Sequence, residues 1–257
     1  DGNGNGDTLQ VDGISYTFPV GTSITAFVGD NVDGSLLFNT ACVYGGPSNT
    51  LDDCGNNYSA INAGGGTAFG ASYDQGNGFT YAIGLTTEGS NADGIFTAEG
   101  DDAYAAQIAY AGDQYGVSFT YADKENPTFT RDVTDTKVWA LNGYYIPDSE
   151  ALPSISAGYE SAESNIPGLD PIDTDSSAWF VGLQWDELAP GTFGVALGTK
   201  QHTVDSDVLD DELLMYEAFY TYEINDGMSI TPLIYTKEFA SPTDDETGVM
   251  VKTSFSF

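Results

Sequence analysis

The chain has 257 residues, including 31 Gly, 16 Tyr and 14 Phe, and its 39 Asp and Glu against 6 Lys and Arg give a formal net charge of −33. That charge excludes a nucleic-acid binder working by phosphate neutralisation, and the length allows one large β domain or two ordinary ones. No run of about 18 apolar residues exists, which excludes a membrane-spanning helix, whereas a slightly negative mean hydropathy is compatible with a β-barrel, whose lipid-facing and lumen-facing residues average out.

In chain order, Asp1-Gly2-Asn3-Gly4-Asn5-Gly6-Asp7, continuing to Asp12, comes close to the calcium loop D-x-[DN]-x-[DN]-G-x₅-E. This makes Asp1, Asn3, Asn5, Asp7 and Asp12 candidate Ca²⁺ ligands. A strand follows instead of a helix, and Leu9 cannot ligate through its side chain, so a flexible acidic loop is the competing reading. No signal peptide is present, which suits a mature chain or a fragment.

Period-two alternation bounded by turn residues predicts thirteen strands. They cover 9–18, 22–28, 66–74, 78–88, 103–111, 115–123, 136–145, 154–160, 176–186, 191–200, 213–223, 228–237 and 248–257. Glycine and aromatic residues with Thr favour this all-β reading. The connections alternate in length. Short ones fall at 19–21, 75–77, 112–114, 147–153, 187–190 and 225–227; long ones at 30–65, 89–102, 124–135, 161–175, 201–212 and 238–247. Short turns on one rim and long loops on the other mark a transmembrane barrel of the outer-membrane type.

The two faces of each strand differ in kind. Phe79, Tyr81, Ile83 and Leu85 oppose Thr80, Ala82, Gly84 and Thr86, and Trp179, Val181, Leu183 and Trp185 oppose Ala178, Phe180, Gly182 and Gln184. The second face is small and polar, which fits a wet lumen. Strands 136–145 and 228–237 choose no face cleanly. Phe18, Tyr73, Tyr110, Tyr145, Trp185, Phe193 and Tyr222 lie near the short turns, as an interfacial girdle would; the competing reading makes them the core of a large sandwich. The last strand runs down to the short-turn rim and ends on an aromatic, Phe257, suited to that girdle. Because bacterial barrels are even-numbered with both ends on this rim, at least one strand, and as many as three, is expected upstream.

Cys42 and Cys54, in turn-rich sequence with no third cysteine, suit a disulfide made in an oxidising compartment; the alternative is two buried thiols. Acids concentrate in the long loops, as in Asp101-Asp102, Asp205, Asp207, Asp210-Asp211-Glu212 and Asp244-Asp245-Glu246. A mouth of one sign concentrates counter-ions, so a cation preference that fades with salt is expected, with a hydrated surface bridged by Ca²⁺ or Mg²⁺ as the bland alternative. By parity Lys200 and Lys252 project lumenward, with Glu217 on the same side, facing Asp30, Asp33, Asp52 and Asp53 of the longest loop. Simple neutralisation of neighbouring acids is the competing role for these lysines. Catalysis finds little support: His202 is the one histidine, and pairs such as Asp52-Asp53 arise by chance in so acidic a chain.

Tyr16-Thr17-Phe18-Pro19-Val20-Gly21, the Thr-bearing strand and Cys-bearing loop after it, the periodic strands and the terminal Phe257 resemble the carbohydrate-selective porin family (OprB type). The likeness is particularly to cyanobacterial porins with an S-layer-homology domain. The resemblance implies a sixteen-stranded trimeric barrel in outer-membrane lipid, with an N-terminal cell-wall-binding module absent here, Phe257 as a membrane-sorting terminus, and no resident cofactor. The thirteen strands would be the fourth to the sixteenth, and residues 30–65 the inward-folded loop that narrows the pore in general porins. In it Asp33 to Phe38 would form a helical turn, and a Cys42–Cys54 bridge would staple the tip, contributing about 3 kcal/mol on the chain-entropy estimate. Passive diffusion of small hydrophilic solutes is thus the leading functional reading. An outer-membrane structural or receptor barrel with a closed lumen comes second, and a secreted carbohydrate-binding or hydrolytic β protein third.

Overall fold

A computed structural model describes residues 13–48, 51, 54–56, 66–87, 102–125, 135–165, 175–199, 202–203, 212–239 and 245–256. These form one antiparallel sheet in which each long strand pairs with its neighbours in sequence. The strands are β1 (Ile14–Val20), β2 (Ile24–Asp30), β3 (Thr67–Asp74), β4 (Phe79–Thr87), β5 (Asp102–Ala111), β6 (Tyr115–Glu125) and β7 (Asp135–Tyr145). They continue as β8 (Ser154–Asn165), β9 (Asp175–Trp185), β10 (Gly191–Thr199), β11 (His202–Thr203), β12 (Leu214–Asn225), β13 (Met228–Lys237) and β14 (Glu246–Phe255). The two-residue β11 pairs with β9 beyond the end of β10. Among the described residues there is no helix, and β1 and β14 each pair on one side only.

The thirteen predicted strands are all present, with three informative shifts. The first turn falls at Gly21–Ser23, two residues later than expected, because Pro19 and Val20 still pair with Thr25 and Ile24. Pro19 lies next to the end of β1, and Gly21 supplies the positive φ of 75° that the reversal needs. Strand β8 runs on to Asn165, since Ala162 and Ser164 continue the pairing to Val138 and Thr136. The chain's last strand ends at Phe255. Inside β13, the ladder to β12 skips from Leu233 to Ile230, bracketing Pro232, which has no N–H to give; the Thr221 and Thr231 hydroxyls bond there at 2.9 Å.

The hydrophobic gradient is inverted relative to a water-soluble sheet. Ile83 is 62 % exposed and Leu141 53 %, while Ser118 and Asn142 are 1 % exposed. Large apolar side chains therefore point outward and small or polar ones inward. The two strands without a legible face alternate in the same sense, each with an apolar residue turned inward: Thr136, Val138, Ala140 and Asn142 are buried between exposed Lys137, Trp139 and Leu141, and Thr231 and Leu233 flank exposed Pro232. Near the short turns the outward aromatics touch across strands, with ring centroids 5.0 Å apart for Phe79–Tyr110 and 5.7 Å for Trp185–Phe193.

Candidate functional site

What fills the inward face is the chain's own segment after β2. Asn31 adopts a left-handed conformation, φ 52°, which Asn tolerates better than most residues, and its N–H bonds to Gly66 O at 2.7 Å. The chain then turns over the inner wall. Leu36 and Phe38 donate to the carbonyls of Asp33 and Ser35, so the expected helical turn is a pair of i→i+3 turns. Gly34 lies so close to β4 that a Cβ on Gly84 would stand 1.9 Å from its carbonyl oxygen. Phe38 then seats on a pad of small inward residues, Ala105, Ala122, Val138 and Ala162.

A ladder of wall side chains takes up the segment's backbone. Asn39 N–H donates to Gln107 Oε1 (2.6 Å), Ala41 N–H to Ser118 Oγ (2.9 Å), and Val43 and Tyr44 N–H to Ser156 Oγ (3.0 and 3.2 Å). Gly45 N–H reaches Gln184 Oε1 at 2.9 Å. Gln184 is the penultimate residue of β9, so the segment descends almost to the short-turn rim. Buried backbone groups need partners, and here the inward row of each strand supplies them.

Cys42 and Cys54 form a disulfide with their Cα atoms 6.4 Å apart. Successive left-handed residues, Cys54 and Gly55 (φ 52° and 83°), reverse the chain there, and Asn142 Nδ2 donates to Cys54 O at 2.9 Å. The inner face beneath is not uniformly wet. Phe180, Met215, Phe219 and Leu233 form an apolar cluster with Tyr44, Leu51 and Cys54, and the Tyr44 ring centroid lies 5.4 Å from Phe180 and 5.7 Å from Phe219. Glycines at 158, 182 and 198 let the segment lie flat, touching Cys54, Tyr44 and Leu51 respectively.

Glu217, only 2 % exposed, sits at the edge of this cluster. Its carboxylate accepts from Tyr44 OH at 2.9 Å and from the Ser48 hydroxyl. Burial, with the adjacent Glu217 charge as a second cause, pushes the Tyr44 phenol well above its ordinary value near 10. Glu217 thus stands on the inward face as expected, but covered by the segment. Lys252 pairs with Thr231 and so stands on the inward face, exposed, while Glu217 pairs with Tyr235 four residues further along β13. Asp33 is exposed on the inward segment. Asp30 differs from expectation: opposite Ile14 and Thr67 in the outward-facing set, it belongs to the outer side of the rim. Asp1, Asn3, Asn5, Asp7, Asp12, Asp52, Asp53, Lys200 and Phe257 lie outside the described residues. Lys137 and Asp135 form an ion pair at 3.6 Å on the outer side of the rim.

The tethering residues Tyr44, Ser48, Gln107, Ser118, Asn142 and Ser156 carry a weak sequence signal: the wall members are polar residues at inward parity on otherwise small-residue rows. Nothing in the sequence names their partners.

No protein-family model matches the chain, and no curated protein matches it in sequence. Solved structures do. A porin refined at 1.8 Å superposes with a TM-score of 0.60 at 17% identity, covering 91% of this chain and 77% of that one. An anion-selective porin from Comamonas acidovorans gives a TM-score of 0.60 at 12% identity, covering 95% and 88%. With outward apolar strands, a single antiparallel meander and a filled inner face, the chain has the fold of the bacterial porin β-barrels.

Proposed function

We propose that the protein is an outer-membrane porin, passing small hydrophilic solutes or inorganic ions by passive diffusion, with residues 30–65 as its constriction. The observation that carries this reading is the pairing of an inverted sheet with a chain segment bonded along its inner face. Lipid accepts the outward Leu, Ile, Val and aromatic side chains, and a segment docked inside the wall narrows whatever passes. In such a wall the edges of β1 and β14 also need partners, since unpaired backbone groups in hydrocarbon cost several kcal/mol each. A homotrimer, a cell-wall-binding module and carbohydrate as solute follow from the resemblance to the OprB-type family alone.

The acidic long loops favour cation preference, opposite in sign to the selectivity ascribed to the Comamonas acidovorans porin. Lys252 opposes them from the inner wall. The test is reconstitution in a planar bilayer under a KCl gradient. Stepwise conductance with a cation-selective reversal potential that shrinks as salt rises supports the reading, and Lys252→Gln should increase that selectivity. An anion-selective potential would mean that Lys252 and Lys200 outweigh the acids. Absence of conductance would overturn the diffusion function.

A further inference from the structure

We infer that Glu217 is the positioning residue that pins the tip of the inward segment to the barrel wall, by taking the hydroxyl protons of Tyr44 and Ser48 together. Three observations converge on it. Glu217 is almost fully buried on β12, where a carboxylate is stable only with partners, and no lysine of the described residues lies within ion-pair distance. Among the described residues both of its donors belong to the segment and neither to the wall. Gln107 and Gln184, by contrast, also bond inside the wall or its adjoining turn, to Thr120 Oγ1 at 3.0 Å and Asp186 Oδ1 at 2.6 Å, and so keep a partner when the segment lifts.

The geometry makes the contact a two-point clasp. Tyr44 and Ser48 both lie inside the stretch closed by the Cys42–Cys54 disulfide, so fixing both also fixes the orientation of that ring of chain. The Tyr44 ring, packed on Phe180 and Phe219, keeps water from the carboxylate, and charge-assisted hydrogen bonds strengthen in such surroundings. Glu217 thereby holds the tip at a set distance from the opposite wall. If the segment is the constriction proposed above, Glu217 sets the bore without lining it.

The test uses the whole protein in detergent micelles and reads amide hydrogen exchange along residues 39–48. Tyr44→Phe combined with Ser48→Ala alters only the segment and leaves the wall intact, so it keeps the test valid even where Glu217→Ala fails to fold. Exchange at Val43 to Ser48 is expected to rise at least about tenfold. Asn39 and Ala41, held by Gln107 and Ser118, should stay protected, and Glu217→Gln, which keeps one acceptor, should fall between. A change of less than about twofold in the double variant and in Glu217→Ala overturns the inference. Single-channel conductance of the same variants separates it from the function it rests on. Faster exchange with higher conductance supports both. Faster exchange at unchanged conductance supports the clasp and overturns the constriction.

Discussion

Gly158→Ala offers a direct trial of the segment's seating. A Cβ at this position would lie 2.0 Å from Cys54 O and 2.5 Å from Asn142 Nδ2. Real Cβ contacts do not fall below 3.0 Å, so the Cys54 carbonyl has to retreat by at least 1.0 Å (3.0 − 2.0). It is backbone and cannot swing aside, and the 2.9 Å bond from Asn142 Nδ2 to that carbonyl is lost. Leaving a buried carbonyl and amide without each other costs about 1–3 kcal/mol, and overpacking adds about 1–3 kcal/mol, giving about 2–6 kcal/mol against docking. Hydrogen exchange at Cys54 to Asn56, measured beside the thermal unfolding midpoint, reads this cost. Gly143→Ala is the control: it faces outward on β7 with Gly116 O at 3.4 Å as its nearest contact, and should stay within about 0.5 kcal/mol of wild type. If Gly158→Ala matches that control in both measurements, the segment does not rest on β8.

Replacing Cys42 and Cys54 by Ser removes a cross-link spanning twelve positions, worth about 3 kcal/mol on the chain-entropy estimate. Limited proteolysis should then cut within 43–53 while far-UV circular dichroism of the strands is unchanged; equal protease resistance would place the stability of the tip elsewhere. The Tyr44 phenol is raised above its ordinary value when docked, so its contribution to docking is fully present below pH 10 and is lost as pH climbs from there towards the docked value. Exchange of the tip should therefore accelerate in strongly alkaline solution beyond the intrinsic base-catalysed rise, and Tyr44→Phe should abolish that excess. Leu141→Arg places a charge at the middle of β7 on the outward face. In lipid vesicles it should destabilise by about 2–4 kcal/mol; a shift within about 0.5 kcal/mol would mean that this face meets water.

Much of the wall was legible from the sequence because strand alternation is local. Phe79 to Thr86 and Ala178 to Trp185 announce their faces within eight residues, and long and short connections sort themselves by rim. Errors came where chemistry at one position overrode the pattern: Gly21 moved the first turn past Pro19, and the small, polar run at the end of β8 hid the extension to Asn165, which pairing with β7 supplies. Strands β7 and β13 became readable only in place, since Val138 and Leu233 are apolar residues on the inward face, sheltered by the segment above them.

The sequence by itself determined the β architecture and the alternation of faces, and it offered Cys42 and Cys54 as a pair that the structure joins. Only the tertiary structure decided where the segment after β2 lies, because its bonds to the wall join residues such as Asn39 and Gln107, 68 positions apart, and Tyr44 and Glu217, 173 apart. No local pattern encodes such separations. Parity put Glu217 on the inward face, but whether its carboxylate would meet a lysine or two hydroxyls depended on how deep the segment descends, and that depth is set by glycines on β4, β8, β9 and β10 that admit a second layer of chain against the wall.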